Sequence, residues 1–476
     1  MMRLASIGVL LLWAQGLFAQ PFGNEWIDFN NTYLKFPVAQ QGVYRLNYSE
    51  LNSALGLVGM SPSGLDPRNV QVFFRGKEQF VLFVGEQDGS LDPGDYLLLW
   101  AQGNDGFSDT SLYLAGRHHP NPHYNLFSDT AWYYITWNNS TSNKRYRIQP
   151  KTNAGGRSAV SWVMTESHVE QHSYYNEGER DFYSVSTPLY IRGEGWMGQP
   201  IGYQQTLTVQ IPTPNPYNGS GAPRAILRGT VAGASNPSVV PNHRLGIDFG
   251  ASAVRLLDTS YNAYAMVEYN FSLAASQITS GYTPLFIKSL PLSVAPPVDR
   301  QCFGYTALRY AHSTNLNGES SLLFEIPQSS DSVYLRFQNF SASVDFIWDL
   351  EAGYALSVQQ TSGDVRALAT AGNARRALVF DASAYRLVTG LRPVVNLRDG
   401  NGKFTDYSAL QPDSALLMVT WQGLFGAVAQ YAAQRSTNGM DALPVYVEDL
   451  YEQFAFGINK SPVAIRNFAL YMHSVC

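Results

Sequence analysis

Ser414-Ala415-Leu416-Leu417-Met418-Val419-Thr420 is a short apolar run, the pattern of a strand buried on both faces. Leu424, Val428, Tyr431 and Ala432 then recur at helical spacing, and Leu443 to Val447 reads as a second strand. Ser461-Pro462 supplies an N-cap and an N1 proline, ahead of a helical face made by Ile465, Phe468, Ala469 and Met472. Strand, helix, strand, helix is the opening of an α/β domain. A parallel sheet buries its apolar surface only with further strands and with cover on both faces. The segment 405–476 is therefore expected to be an incomplete α/β domain whose chemistry lies beyond residue 476. Its exposed apolar faces predict that protease attacks from Asp406 onward first.

Working back from this segment, the pattern is mainly β. From Gln20 to about residue 160, strands alternate with Gly, Asn and Asp turns. Gly42 to Tyr48 alternates in the strand manner, and Ser49 is placed to cap a short helix over Glu50 to Leu57. Val70 to Phe74 and Gln79 to Val84 flank Arg75-Gly76-Lys77-Glu78, which reads as a hairpin. Tyr96 to Trp100 and Trp132 to Trp137 are further aromatic strands. Short strands then return across 161–400, clearest at Leu207 to Ile211, Arg224 to Val231, Ala265 to Tyr269, Leu322 to Ile326, Val333 to Phe337 and Val344 to Trp348. Many short strands at this spacing predict a β-sandwich. The expected order is a signal peptide over 1–19, a β-rich domain over 20–160, a β-sandwich over 161–400, and the α/β opening over 405–476.

Composition narrows the partners. Apolar content of 45% and aromatic content of 13% supply substantial cores and exclude wholesale disorder. A net charge of -5 gives no reason to expect nucleic acid as a partner. Arg3, the apolar run Leu4 to Phe18, and Ala19-Gln20 have the form of a cleaved export signal, too short for a membrane span. No other stretch approaches a transmembrane length, so an exported protein without a span after signal removal is expected. Two cysteines, Cys302 and Cys476, do not make a disulfide scaffold.

Each constellation that could carry chemistry has a plainer reading. Cys302, in Arg300-Gln301-Cys302-Phe303-Gly304-Tyr305, reads as a semi-buried thiol rather than a nucleophile. His473 and Cys476 stand three apart at a helix end, with no third group to orient a base. His118, His119 and His123 sit in a two-proline loop, where a polar surface loop is favoured over a metal site. His168 and His172 lack the His-Glu-x-x-His pattern. The acidic loop from Glu86 to Asp95 offers oxygen ligands for calcium, yet it lacks EF-hand spacing and reads as a turn between strands. Gly193-Glu194-Gly195-Trp196 suits neither a P-loop nor a dinucleotide turn. No catalytic, cofactor-binding or metal residue is assigned.

Several blocks together carry a resemblance. They are Gly23-Asn24-Glu25-Trp26-Ile27-Asp28, Asp66-Pro67-Arg68-Asn69, Arg75-Gly76-Lys77-Glu78, Asp88 to Tyr96, Asn121 to Ala131, Gly193-Glu194-Gly195-Trp196, Leu450 to Gly457, and Ser461 to Phe468. With these the chain resembles the sortases of the type IX secretion system, within the gingipain-type cysteine peptidases; Leu207 to Phe380 matches only as a strand pattern. The resemblance implies an enzyme at the outer membrane surface that removes C-terminal sorting domains from secreted cargo. Its implied partners are that cargo and other components of the secretion system. The implied fold is a set of β domains followed by a caspase-like α/β domain. In that family a histidine and a cysteine at the ends of later strands act as base and nucleophile, and no position in this chain matches them. The chain is therefore expected to be the inactive N-terminal portion of such a peptidase. The alternative is a non-catalytic surface protein that uses its β domains for binding or assembly.

Overall fold

The computed structural model describes residues 22–151, 153–179, 189–340, 342–410 and 415–475. The expected signal peptide and Cys476 lie outside the described residues.

The protein is mainly β, as its alternating segments predict. Near the N-terminus, two sheets face each other across a core that includes Leu34, Phe36, Leu46, Leu51, Leu55, Val72, Leu97 and Leu99. One sheet runs Arg392–Pro393, Leu34–Val38, Ala131–Trp137, Val70–Phe74, Lys77–Glu78; the other runs Tyr385–Leu387, Gly42–Asn47, Tyr96–Ala101, Val81–Val84. The edge strands Tyr385–Leu387 and Arg392–Pro393 reach these sheets from more than two hundred residues downstream of their neighbours. Local patterning does not reveal such a return.

The expected hairpin forms, but its returning strand is Lys77–Glu78, not Gln79 to Val84, and its turn is Arg75-Gly76 alone, at positive φ of 47° and 73°. That is the twist a two-residue hairpin needs. Only Phe73 and Phe74 pair across it, however. The chain then breaks at Gln79-Phe80, and Val81–Val84 crosses to the other sheet. The helix Tyr48–Gly56 starts earlier than expected, with Asn47 at the N-cap position, so Ser49 lies inside the first turn.

The next region is built on a long mixed sheet whose centre is the strand Arg300–Ser313, paired to Ala225–Gly233 on one side and Trp162–Glu170 on the other. A four-stranded sheet (Thr206–Thr213, Gly281–Ser289, His243–Phe249, Val254–Tyr261) covers one end of it. Val209, Ile211, Leu227, Leu245, Ile247, Phe249, Leu285 and Phe303 fill the space between. A three-stranded sheet of Val333–Phe337, Asp364–Ala369 and Gln359–Thr361 covers the other end over Phe324, Leu335, Phe337, Ile347 and Val379. A separate aromatic cluster, including Trp348, Tyr146 and Phe380, joins this region to the N-terminal sheets.

The final segment is α/β, as its periodicity predicts. Leu416–Thr420 and Ala442–Tyr446 pair in parallel, with Leu416 opposite Ala442. The helix Phe425–Thr437 connects them. A helix over Val447–Phe454, not expected as such, follows at once, and Pro462–Val475 is the last helix. Ser461 does not act as a side-chain cap: its Oγ is buried without a partner among the described residues.

Candidate functional site

The loop 104–129 is the hub of the molecule's polar chemistry, because it bridges the N-terminal sheets and the sandwich. Asp109, fully buried, accepts hydrogen bonds from Leu126 N (2.7 Å) and Asn125 Nδ2 (2.9 Å) and so shapes the loop from within. The segment Gly193-Glu194-Gly195-Trp196 clamps it from the other side. Tyr113 OH donates to Glu194 O (2.5 Å), Trp196 Nε1 donates to Leu126 O (3.0 Å), and Gly193 N donates to His118 O (3.0 Å). Gly195 holds φ at 142°, a conformation other residues rarely adopt, and a Cβ there would press on Pro120, Tyr113 and Leu126. This glycine motif is an assembly joint.

The three loop histidines do not converge. His118 is half-buried at the joint. His119 is buried beside Tyr113; its Nδ1 accepts Asn121 N–H (3.0 Å), and its Nε2 has no hydrogen-bond partner among the described residues. His123 instead stacks on His168 of the strand Trp162–Glu170, with centroids 4.4 Å apart and planes at 13°. Beside it Tyr124 stacks on His172 at 4.1 Å and 6°. Among the described residues no group of three or more His, Cys, Asp or Glu could hold a metal ion. A cleft of about 570 Å³ opens next to the two stacks, and its walls include Asp105, Asp129, Glu166, Glu170, Glu325 and Arg376.

Cys302 is more deeply buried than expected. It packs among Met197, Ala232, Ala234 and Met266, and burial pushes its thiol up to about 12. A nucleophilic cysteine needs the opposite, a thiolate at neutral pH. His473 is exposed at the end of the last helix. In the acidic loop, Glu86 pairs with Arg145 (2.8 Å), while Asp88 and Asp95 accept backbone N–H groups from Ser90 and Asp92. These carboxylates are engaged within the turn.

One buried constellation has no sequence signal. His243 Nδ1 meets Asp299 Oδ1 at 2.5 Å, and its Nε2 meets the carbonyls of Ser235 (3.0 Å) and Ala263 (2.9 Å). Asp299 is further held by Ser289 Oγ (2.5 Å) and Gln301 Nε2 (3.1 Å). The serine bonds the aspartate and not the histidine, so this is a structural hydrogen-bond cluster and lacks the order of a nucleophilic triad. His243 reaches Asp299 across 56 residues of sequence, which is why no local pattern marks the cluster.

The α/β segment is anchored to the N-terminal sheet by buried polar contacts. Lys35 on the strand Leu34–Val38 forms an ion pair with Glu452, their side chains only 3% and 10% exposed. Tyr134 OH lies 3.3 Å from the second carboxylate oxygen of Glu452, and the Lys35 Nζ stands 4.1 Å over the Trp132 ring. Burial pulls the Lys35 ammonium below its ordinary basicity, and Glu452 opposes that shift. Asp449 accepts Leu397 N (2.8 Å) and Arg398 N (3.3 Å), and Gln453 Nε2 donates to Thr405 O (3.0 Å). Burial raises Asp449 to about 6 despite those backbone donors. These contacts tie helix Val447–Phe454 to the body of the protein; helix Pro462–Val475 is held by Arg466 Nη2, which donates to Ser111 Oγ (2.9 Å), and by Asn467 Nδ2, which donates to Phe454 O (3.1 Å). The largest apolar exposures of this segment are at Trp421 and Leu424, both 58%, and the final helix also exposes Ile465, Leu470 and Val475.

No family model matches the sequence, and no curated protein matches it. Among solved structures, dimeric latent PorU from Porphyromonas gingivalis matches over 93% of this chain and 40% of that chain, at 13% identity and a TM-score of 0.57. The fold is similar to that of PorU. This chain spans about 40% of that protein's length. The CBM36-1 domain of a xylanase from the hindgut metagenome of Trinervitermes trinervoides matches 30% of this chain and 96% of that domain, at 13% identity and a TM-score of 0.18. That score is too low to carry an argument. Among the described residues no helix is long and apolar enough to cross a membrane.

Proposed function

We propose that this chain is the N-terminal portion of a sortase-like cysteine peptidase of the type IX secretion system, exported to the outer membrane surface and inactive by itself. The observation that carries this reading is the fold similarity to PorU over 93% of the chain. The motif resemblance of Gly23 to Asp28, Asn121 to Ala131 and Leu450 to Gly457 points the same way. The division follows as residues 1–19 for the signal, 20–160 and 161–400 for the β regions, and 405–476 for the opening of a gingipain-like α/β domain. Its partners are secreted cargo and other components of the secretion machinery.

The chemistry assigned to this chain is positioning. Its β regions and the Lys35–Glu452 anchor hold the start of the α/β sheet, on which later strands would carry the base and the nucleophile. The buried, proton-retaining Cys302 supports the absence of thiol catalysis from the chain itself. The purified 476-residue chain should show no thiol-dependent peptide hydrolysis, measured with fluorogenic peptides with and without an alkylating agent. Hydrolysis abolished by Cys302→Ala would overturn the assignment. A pull-down with components of a type IX machine should retain the chain; retention no better than a scrambled control would reject the secretion-system reading.

A second reading, a non-catalytic surface module, is favoured by the cleft beside the histidine stacks, which lies within the β regions. Binding of a partner to the β regions alone, with no secretion component retained, would select it.

A further inference from the structure

The joint between loop 104–129 and the sandwich contains an arrangement that a merely structural contact does not require. Two imidazoles lie face to face, His123 on His168, and a second histidine, His172, lies flat on Tyr124. Tyr305 closes on His123 from a third side, with ring centroids 4.9 Å apart. A neutral imidazole is accommodated flat against another ring, whereas an imidazolium at the His123 position loses its hydration in a partly desolvated site.

We propose that the His123–His168 stack is an acid-released clasp, closed at neutral pH, in which protonation of His123 loosens the two-proline loop Arg117 to Tyr124 on the sandwich and widens the adjoining cleft.

The surroundings of His123 agree. Arg228 acts on it with the same sign as His168, and Asp105 with the opposite sign. The other charged groups along the cleft are largely committed elsewhere. Glu166 pairs with Arg228 (2.9 Å), Glu325 with Arg309 (2.5 Å) and Asp105 with Arg75 (2.7 Å). Glu170 lies 3.5 Å from His168, Asp129 Oδ1 accepts from its neighbour Thr130 (2.9 Å), and Arg376 bonds Glu351 (3.1 Å). Burial first, and then His168 and Arg228, depress His123 to about 3. In the open loop the ring returns to its ordinary value of about 6.5. The open form therefore binds the proton that the closed form refuses, and acid pulls the equilibrium open. Between about pH 7.5 and about pH 5 the opening constant rises about thirtyfold by linkage.

Amide hydrogen exchange on the whole chain tests this, corrected for the intrinsic pH dependence of exchange and referenced to the central strand Ala225–Gly233. The loop from Arg117 to Tyr124 should lose about thirtyfold in protection over that pH step while the reference strand does not change. His123→Phe keeps a flat ring against His168 but cannot titrate, and should abolish the pH response; His119 remains in that variant, so the response is assigned to His123. His168→Phe should retain most of it, because burial is the leading cause. Should His123→Phe fail to fold, His123→Gln supplies the same non-titrating test. A loop whose protection ignores pH in the wild type, or responds equally in the His123 variant, overturns the proposal.

Discussion

Removing the carboxylate of Glu452 should detach the α/β segment from the N-terminal sheet. The wild-type pair is almost dry, with Lys35 at 3% and Glu452 at 10% side-chain exposure. In Glu452→Ala the Lys35 ammonium would remain under the Trp132 ring with Arg392 nearby and no counter-charge, and Tyr134 OH would lose an acceptor. Breaking a buried pair by deleting one partner costs about 3–5 kcal/mol, far above the roughly 1 kcal/mol ceiling of an exposed pair. Removing both charges is a different perturbation: Lys35→Met with Glu452→Leu replaces the pair by apolar volume and should fall within about 1 kcal/mol of the wild type. Urea unfolding, combined with hydrogen exchange across Pro462–Val475, separates local undocking from global loss. Two results would refute the reasoning. One is a single variant that costs less than about 1 kcal/mol. The other is a double variant no better than the single one.

Three further outcomes are expected. Asp449, raised to about 6 by burial, binds its proton more tightly folded than unfolded, so docking of its helix should strengthen as pH falls from neutral through about 6 and be fully strengthened below the ordinary value of about 4. The gain at about pH 5 is on the order of 1 kcal/mol, opposite in sign to the histidine clasp, and Asp449→Asn should remove it in denaturant titrations. Cys302 should resist thiol reagents at neutral pH in the folded chain and react fully in denaturant; rapid labelling under native conditions would contradict its burial. Limited proteolysis should cut first around Phe425–Thr437 and its exposed flank at Trp421 and Leu424, sparing Pro462–Val475. Early cleavage throughout the final helix would show that its anchors do not hold.

The proteolysis expectation marks where sequence reasoning went too far. Counting two strands and two helices treats the terminal segment as isolated, so all of it reads as vulnerable. The structure divides it. Leu450, Phe454, Phe468 and Met472 are buried, in a cluster that also takes in Phe22 and Phe127 from the N-terminal region. Sequence periodicity reveals which face of a helix is apolar but not which distant surface covers it. The same limit hid the His123–His168 stack, because each histidine alone is an ordinary polar residue on a loop or a strand.

What the sequence by itself determined is the local grammar. Aromatic-rich strands such as Ala131–Trp137, the positive-φ turn at Arg75-Gly76, and the apolar run Leu416–Thr420 each answer to backbone and side-chain preferences within a few residues. Tertiary structure alone decided the pairings across hundreds of residues. It returned Arg392 to pair with Lys35, set Glu452 against that same lysine, buried the Cys302 thiol, and laid one imidazole upon another. Those contacts depend on desolvation and on charges meeting in space, and neither quantity exists until the chain has folded.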